Sequence, residues 1–217
     1  MDLLTAMKTR SSVRSFLDEP IQRNTIEAVI KNASRAPSAL NLQPWELHVV
    51  MGSERKRLSK KLLKSYKERG ITCGPGTTKP LPEKFISRAR KCADDMSPLI
   101  KRMGQEFKTF VNEGSLEFYG APCVVLIFLD ESFPPERMLD AGSFIAHFVL
   151  VSHVMGLGSC PIGLTSSYSD EIRDFLNVPD SKKLVMSIAV GKPDLTQAIN
   201  EFRTERADIN EFVRWID

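Results

Sequence analysis

The stretch MLDAGSFIAHFVLVSHVMGLG, Met138 to Gly158, constrains this chain more than any other. It is long enough for a helix, and its apolar residues fall on almost every side rather than along one stripe. A helix that is apolar all round needs cover all round. It therefore belongs at the centre of the molecule or against a second subunit, with Gly156 and Gly158 as the residues that end it. The shorter run PCVVLIFLD is rich in β-branched residues and reads as a buried strand, as does KLVMSIAVG near the end of the chain.

The remaining elements follow from period and punctuation. DLLTAMKT forms a short first helix, and NTIEAVIKNASRAP a second. In the second, Ile26, Val29, Ile30 and Ala33 recur at helical spacing, Asn24 is the candidate cap, and Pro37 ends the run. WELHVVM, Trp45 to Met51, is a strand. Glu54 to Arg69 carries eight basic residues against two acids, with Leu58, Leu62, Leu63 and Tyr66 at helical spacing. That is an amphipathic helix with a solvated basic face. Gly70 to Pro82 concentrates glycine and proline as an extended connection, and a second polar helical stretch runs from about Glu83 to Val111. After SCPIG, a helix near Asp170 to Leu176 leads into the last strand. The terminal INEFVRWID, with Ile209, Phe212, Val213 and Trp215, is too apolar for a free tail and must pack on something, a partner chain included.

Several function classes are excluded at this point. No apolar run approaches the roughly 18 residues of a membrane span. The amino terminus lacks a secretory pattern, so a cytoplasmic protein is expected. The formal charge of +3 is too small to argue for nucleic acid, and no zinc-finger, RNP or helix-turn-helix pattern accompanies the basic helix. The four cysteines form no CxxC pair, which leaves neither a zinc cage nor a disulfide framework. Three histidines, two of them inside the most apolar helix, supply no hydrolytic constellation, and the G-x-S-x-G elbow, P-loop and G-x-G-x-x-G patterns are absent.

What remains is RSSVRSF, Arg10 to Phe16, which sets two guanidinium groups and two hydroxyls within five positions. Arg10 and Arg14 are four apart, so their forks can converge on an anion, with Ser11 and Ser12 adding donors. Alone the motif reads first as a polar helix end with surface arginines. It has companions, however: APSALNLQPW, GLGSCPIG and IAVGKPD follow it in order. With these four motifs, over about residues 1–51 and 116–217, the chain resembles the nitroreductase superfamily of FMN-dependent oxidoreductases.

The resemblance implies an α+β fold: a mixed, mostly antiparallel central sheet flanked by helices, one domain over 1–217 with a variable lid or insert at about 65–115. It implies an intertwined homodimer with an FMN in each of two clefts at the interface, the carboxyl terminus crossing onto the partner's sheet. Carried over residue by residue, it assigns Arg10 and Arg206 to the phosphate and Ser11 and Ser12 to the ribityl chain or phosphate. Arg14 goes to the polar edge of the flavin near N1 and O2, favouring the reduced anionic ring. Pro37, Ser38, Ala39 and Asn41 would lie against the flavin from the opposite subunit, and Pro161, Ile162 and Gly163 over the ring. Thr204 departs from the pattern, because some members carry a lysine there; Arg203 is the residue that can compensate.

The implied activity is ping-pong electron transfer from NADH or NADPH to nitroaromatic or quinone acceptors, with no catalytic side chain and no metal. Within the same fold the alternative is reductive dehalogenation of halophenols, of the iodotyrosine deiodinase kind, although Tyr66, Lys67 and Glu68 do not reproduce a recognisable lid motif. Outside it stands a non-catalytic flavin- or nucleic-acid-binding protein.

Overall fold

The computed structural model describes residues 1–74, 76–77 and 79–216. Positions 75 and 78 of the predicted glycine- and proline-rich connection, and the last residue of the apolar tail, lie outside the described residues.

Four strands form one antiparallel sheet in the order β1-β2-β4-β3: β1 Glu46–Met51, β2 Cys123–Asp130, β3 Gly158–Ile162 and β4 Lys182–Gly191. β2 lies inside the sheet, so its alternating side chains enter two different cores. Cys123, Val125 and Ile127 face α2 (Arg23–Ala33) and α6 (Met138–Val154), meeting Ile26, Val29, Phe144 and Phe148. Val124, Leu126 and Phe128 face α3 (Gly52–Arg69), α5 (Phe107–Leu116) and α7 (Ser169–Leu176), meeting Leu58, Leu62, Leu116 and Ile172. The β2–β4 register shifts between Ile127 and Phe128, which pairs Phe128 with Leu184 and brings both into the same core. A third cluster joins Met96 and Ile100 of α4 (Glu83–Arg102) to Phe110, Ile199 and Phe202. Fully burying each Val, Leu, Ile or Phe contributes about 1.5–3 kcal/mol, so the strands with no exposed apolar residue anchor the molecule.

The first helix, α1 (Leu3–Thr9), is capped by Asp2, whose carboxylate accepts from the Thr5 N–H at 3.0 Å. Several expectations need correction. The second helix starts at Arg23, because the Thr25 and Ile26 amides already donate to Gln22 O; Asn24 lies inside the first turn and does not cap it. It ends at Ala33, ahead of Pro37. The stretch expected to be one helix from Glu83 to Val111 is two, broken at Gly104, whose φ of 70° no helix accommodates. The basic face of α3 is not wholly solvated: Arg55 is buried, and Arg69 pairs with Glu171 at 2.6 Å while Lys61 pairs with Asp174, tying α3 to α7.

The apolar helix α6 turns one stripe to the core, through Ala141, Phe144, Phe148 and Val149, and leaves Leu139, Gly142, Ala146 and Val154 exposed. Its own chain thus covers half of it. Gly156, at φ 77°, follows its last turn, whereas Gly158 opens β3. In the tail, Ile209, Phe212, Trp215 and Ile216 are exposed and find no cover among the described residues. Among the described residues no helix is long and apolar enough to cross a membrane.

Candidate active site

After α1 the RSSVRSF segment runs extended, bridged in parallel at Ser12 to Ser159 of β3 and antiparallel at Phe16 to Pro193. The Val13 amide donates to Ser159 O at 3.0 Å. This close approach needs Gly158, since a Cβ there would stand 2.8 Å from Val13 Cγ2. With Val13 and Phe16 buried, the polar residues between and beside them turn outward. Asn200, itself buried, latches the segment: its Oδ1 accepts from the Arg14 amide at 2.9 Å, and its Nδ2 donates to Ser15 O at 2.8 Å and Asp194 O at 2.9 Å.

The latch brings two distant stretches of chain around one cavity of about 500 Å³. Lys8, Arg10, Ser11, Ser12 and Arg14 line one side, and Phe202, Arg203, Thr204 and Arg206 the other. Five of these residues are cations and none is an acid. Among the described residues none of the five makes an ion pair, although lysines and arginines elsewhere on the molecule pair freely. Burial, then the neighbouring charge of Arg206, pull the Arg10 guanidinium below its ordinary value. The Arg206 guanidinium donates only to neutral oxygens, Thr204 Oγ1 at 2.6 Å, Thr204 O at 3.1 Å and Glu205 O at 3.0 Å. Arg203 likewise donates to Asn200 O and Phe202 O, each at 2.8 Å. The arrangement is a concentration of positive charge whose missing complement is an anion.

Arg14 lies deeper. Its guanidinium donates to Ser12 O at 3.4 Å and sits 6.0 Å from the centroid of the Phe202 ring. Cys160, buried beneath, has its thiol pushed up by burial, against the pull of Arg14 and Ser12. His153 of α6 meets Thr9 Oγ1 at 2.8 Å; burial, Arg10 and Arg203 hold it below the usual histidine value.

The structure therefore gathers Arg10, Ser11, Ser12, Arg14 and Arg206; Pro161 and Ile162 continue from the Ser159 bridge to the end of β3 and Gly163 follows it, all three outside the lining of the cavity. Ile162 is buried, Pro161 half-buried and Gly163 exposed. It does not gather Pro37, Ser38, Ala39 and Asn41. Their loop hangs from the start of α6, where the Ala39 amide donates to Asp140 Oδ1 at 3.3 Å. Asp140 and His153 are thirteen residues apart on one helix, about 20 Å at its rise. Leu40 and Asn41 have φ of 50° and 56°, and Leu40 is 93% exposed. Lys8, Asn200 and Phe202 were not legible as site residues: Lys8 only extends the basic run KTRSSVR, and the other two carry no motif.

The Nitroreductase family model matches residues 7–192, and the chain belongs to that family of oxidoreductases. Nitroreductase NfnB of Mycolicibacterium smegmatis is 33% identical over 214 residues, 96% of this chain and 90% of that protein. The 4-nitrobenzoate reductase of Pseudomonas putida is 27% identical over 99% of this chain and 96% of its own length. The crystal structure of the FMN-dependent nitroreductase NfnB from Mycobacterium smegmatis in complex with NADPH superimposes with a TM-score of 0.88 at 30% identity, covering both chains completely.

Proposed function

We propose that the protein is an FMN-dependent oxidoreductase that takes electrons from NADPH or NADH and delivers them to nitroaromatic or quinone acceptors. One observation carries the reading: five cations converge on one cavity with no carboxylate to balance them. A phosphate monoester brings nearly two negative charges and three acceptor oxygens, which suits that donor set. The family membership, the NADPH complex of the mycobacterial relative and the nitrobenzoate reductase activity named for the Pseudomonas relative point the same way.

In this reading Arg10 and Arg206 hold the phosphate, supported by Lys8 and Arg203, with Thr204 orienting Arg206 through its hydroxyl. Ser11 and Ser12 supply hydroxyl and amide donors to the phosphate or ribityl chain. Arg14 keeps a positive charge at the polar edge of the ring, and Pro161, Ile162 and Gly163 form the wall that the ring faces. When bound, FMN supplies the two-electron chemistry, so the chain needs no nucleophile or metal ligand of its own. The side chains bind, orient and set the charge around the cofactor.

The functional unit in this reading is an intertwined homodimer built from one domain over 1–217. Pro37, Ser38, Ala39 and Asn41 lie too far along α6 from Thr9 to reach the cavity of their own chain, which suits a contribution to the partner's site. The exposed stripe of α6, Leu3, Leu4 and Met7 of α1, and the bare tail supply the apolar surface such an interface needs. Among the described residues β1 pairs only with β2, and beside its other edge Ile26, Ile30, Leu47, Val49 and Met51 line a cavity of about 500 Å³ that suits a partner's tail. Residues 65–115 are the variable lid region, α4 being tied to the tail by Arg88–Glu211 at 2.5 Å and Lys91–Glu205 at 3.8 Å. Four unpaired cysteines fit a cytoplasmic setting.

The test is direct. Purified protein incubated with FMN and desalted retains yellow colour, bleaches with NADPH or NADH under nitrogen, and recovers on addition of 4-nitrobenzoate or a quinone. Failure to retain FMN defeats the reading, and recovery with halotyrosine alone favours the dehalogenase.

A further inference from the structure

Thr165 and Ser187 are polar, wholly buried and outside the cationic cavity. Their hydroxyls meet at 2.8 Å, and both lie near one main-chain oxygen, Ile162 O, which stands 2.9 Å from the Thr165 hydroxyl and 3.4 Å from that of Ser187. The protons put this group in order. Thr165 gives its single proton to Ile162 O, the shorter of the two bonds, so at the contact between the hydroxyls Ser187 is the donor. Two buried hydroxyls thus act in series on the last carbonyl of β3.

What that carbonyl fixes lies across the same peptide. Ser159 O faces away from β4, accepting from the Val13 N–H at 3.0 Å, and carbonyls alternate along a strand, so Ile162 O, three residues on, faces β4. A trans peptide is planar and sets its N–H opposite its C=O. The Gly163 N–H therefore points off the outer edge of β3, the edge along which the 10–16 segment is bridged. Among the described residues it has no main-chain acceptor. Nor does the backbone need glycine here: φ of −79° and ψ of −29° suit any residue, and a Cβ would meet nothing within 4 Å. What a glycine in such a place permits is the close approach of another molecule to the main chain.

We propose that Thr165 and Ser187 are positioning residues for the flavin ring: by holding Ile162 O inward they aim the Gly163 N–H outward as a fixed donor to the ring. The inference rests on the reading of the cavity as an FMN site with β3 as the wall beside the ring. Gly163 stands four residues from the bridge between Ser12 and Ser159, about 13 Å along the strand, a span that a phosphate, a ribityl chain and a ring cover together. Buried hydroxyls suit the task because they fix a peptide without adding charge beside the ring.

The experiment uses the full chain, apo and FMN-loaded, with isotope-labelled glycine, and the variants Gly163→Ala, Thr165→Val, Thr165→Ser and Ser187→Ala. NMR follows the Gly163 amide, identified by its absence from Gly163→Ala; fluorescence titration gives the affinity for FMN and riboflavin, and thermal melting the stability. FMN is expected to shift the Gly163 amide proton of the wild type. Thr165→Val should shrink that shift and weaken FMN and riboflavin by the same factor, about threefold to tenfold, the scale of one neutral hydrogen bond. Thr165→Ser, which keeps the hydroxyl, should restore both. Gly163→Ala should melt at or above the wild-type temperature, since its backbone accepts a side chain, yet lose affinity for both ligands. A Gly163 amide that does not move when FMN binds overturns the proposal, as does a Thr165→Val protein that melts lower but binds both ligands as the wild type does. Should Thr165→Val fail to fold, Ser187→Ala breaks the relay one step further from the carbonyl and is expected to lower affinity in the same direction; wild-type affinity there counts against the proposal. A wild-type chain that takes up neither FMN nor riboflavin removes the cofactor reading itself, whereas normal uptake with an unmoved Gly163 amide removes only this donor.

Discussion

The main-chain N–H of Arg14 donates to Asn200 Oδ1 at 2.9 Å, across 186 residues of sequence. One buried amide thus holds together the two stretches that line the cationic cavity. Asn200→Ala leaves the Arg14 amide without its partner, while Ser15 O and Asp194 O each lose one donor and keep the amides of Asp194 and Gln197. At about 1–3 kcal/mol for a buried polar group left unsatisfied, we expect a loss of that size. Urea unfolding of the apoprotein measures it, and a loss under 0.5 kcal/mol, within the ordinary range for surface substitutions, would show that the latch is dispensable.

Arg10 and Arg206 divide from the rest of the cavity by ligand chemistry. Arg10→Gln or Arg206→Gln should weaken FMN about 10- to 100-fold, the value of a charge-assisted bond, yet leave riboflavin, which has no phosphate, bound as by the wild type. Isothermal titration with both ligands separates the outcomes. Equal weakening of FMN and riboflavin would mean that the two arginines do not address the phosphate.

Gly158 is the point where the 10–16 segment meets the sheet. Gly158→Ala sets a Cβ 2.8 Å from Val13 Cγ2 and 2.9 Å from Val13 Cβ, so the segment must move. Overpacking of this kind costs about 1–3 kcal/mol, and the displaced Ser12 and Arg14 should weaken FMN as well. Denaturant unfolding and FMN titration check the two effects separately.

His153 gives the apoprotein a pH dependence of known sign. Its value is held below 6.5 by burial, Arg10 and Arg203, so between the depressed folded value and 6.5 the unfolded chain binds more protons. Stability from this residue is complete above pH 6.5 and is lost as the pH falls through the folded value. His153→Gln should flatten that part of the stability curve, and bound FMN should do so partly, by offsetting the charge of Arg10. A slope unchanged in His153→Gln assigns the loss to other groups.

Deletion of residues 209–217 removes Ile209, Phe212, Trp215 and Ile216, which are between 53% and 95% exposed in the isolated chain. The full chain is expected to sediment as a dimer, and the truncated one to shift toward monomer and lose FMN affinity. A monomeric full chain that binds FMN at full strength would refute a site shared between subunits.

The parts legible in the sequence are those set by local pattern. The buried strand PCVVLIFLD, the last strand KLVMSIAVG and the helical stripe of Ile26, Val29 and Ala33 appear where period and composition put them. The arginines of RSSVRSF were legible as a site only through their ordered companion motifs, since two guanidinium groups within five positions by themselves describe a polar helix end with surface arginines. Element ends were less so. Asn24 looked like a cap, but the amides of Thr25 and Ile26 chose Gln22 O, a decision made by main-chain geometry rather than side-chain type. The break at Gly104 was hidden in a polar stretch without strong periodicity on either side.

By itself the sequence determined the strands, most of the helices and the cationic character of the 10–14 segment, because hydrophobic period and clustered guanidinium groups act over a few residues, and four short motifs read together carried the resemblance to the family. Only the tertiary structure decided that Lys8 and Phe202 join the cavity, that Asn200 latches its two sides together, and that the loop of Pro37 to Asn41 meets α6 at Asp140, about 20 Å of helix from His153. These relations connect residues up to 190 or more positions apart, and no local pattern encodes which distant amide or hydroxyl a buried polar group will find. Burial leaves such a group nothing else to bond, and the packing of the helices on the sheet chooses the partner.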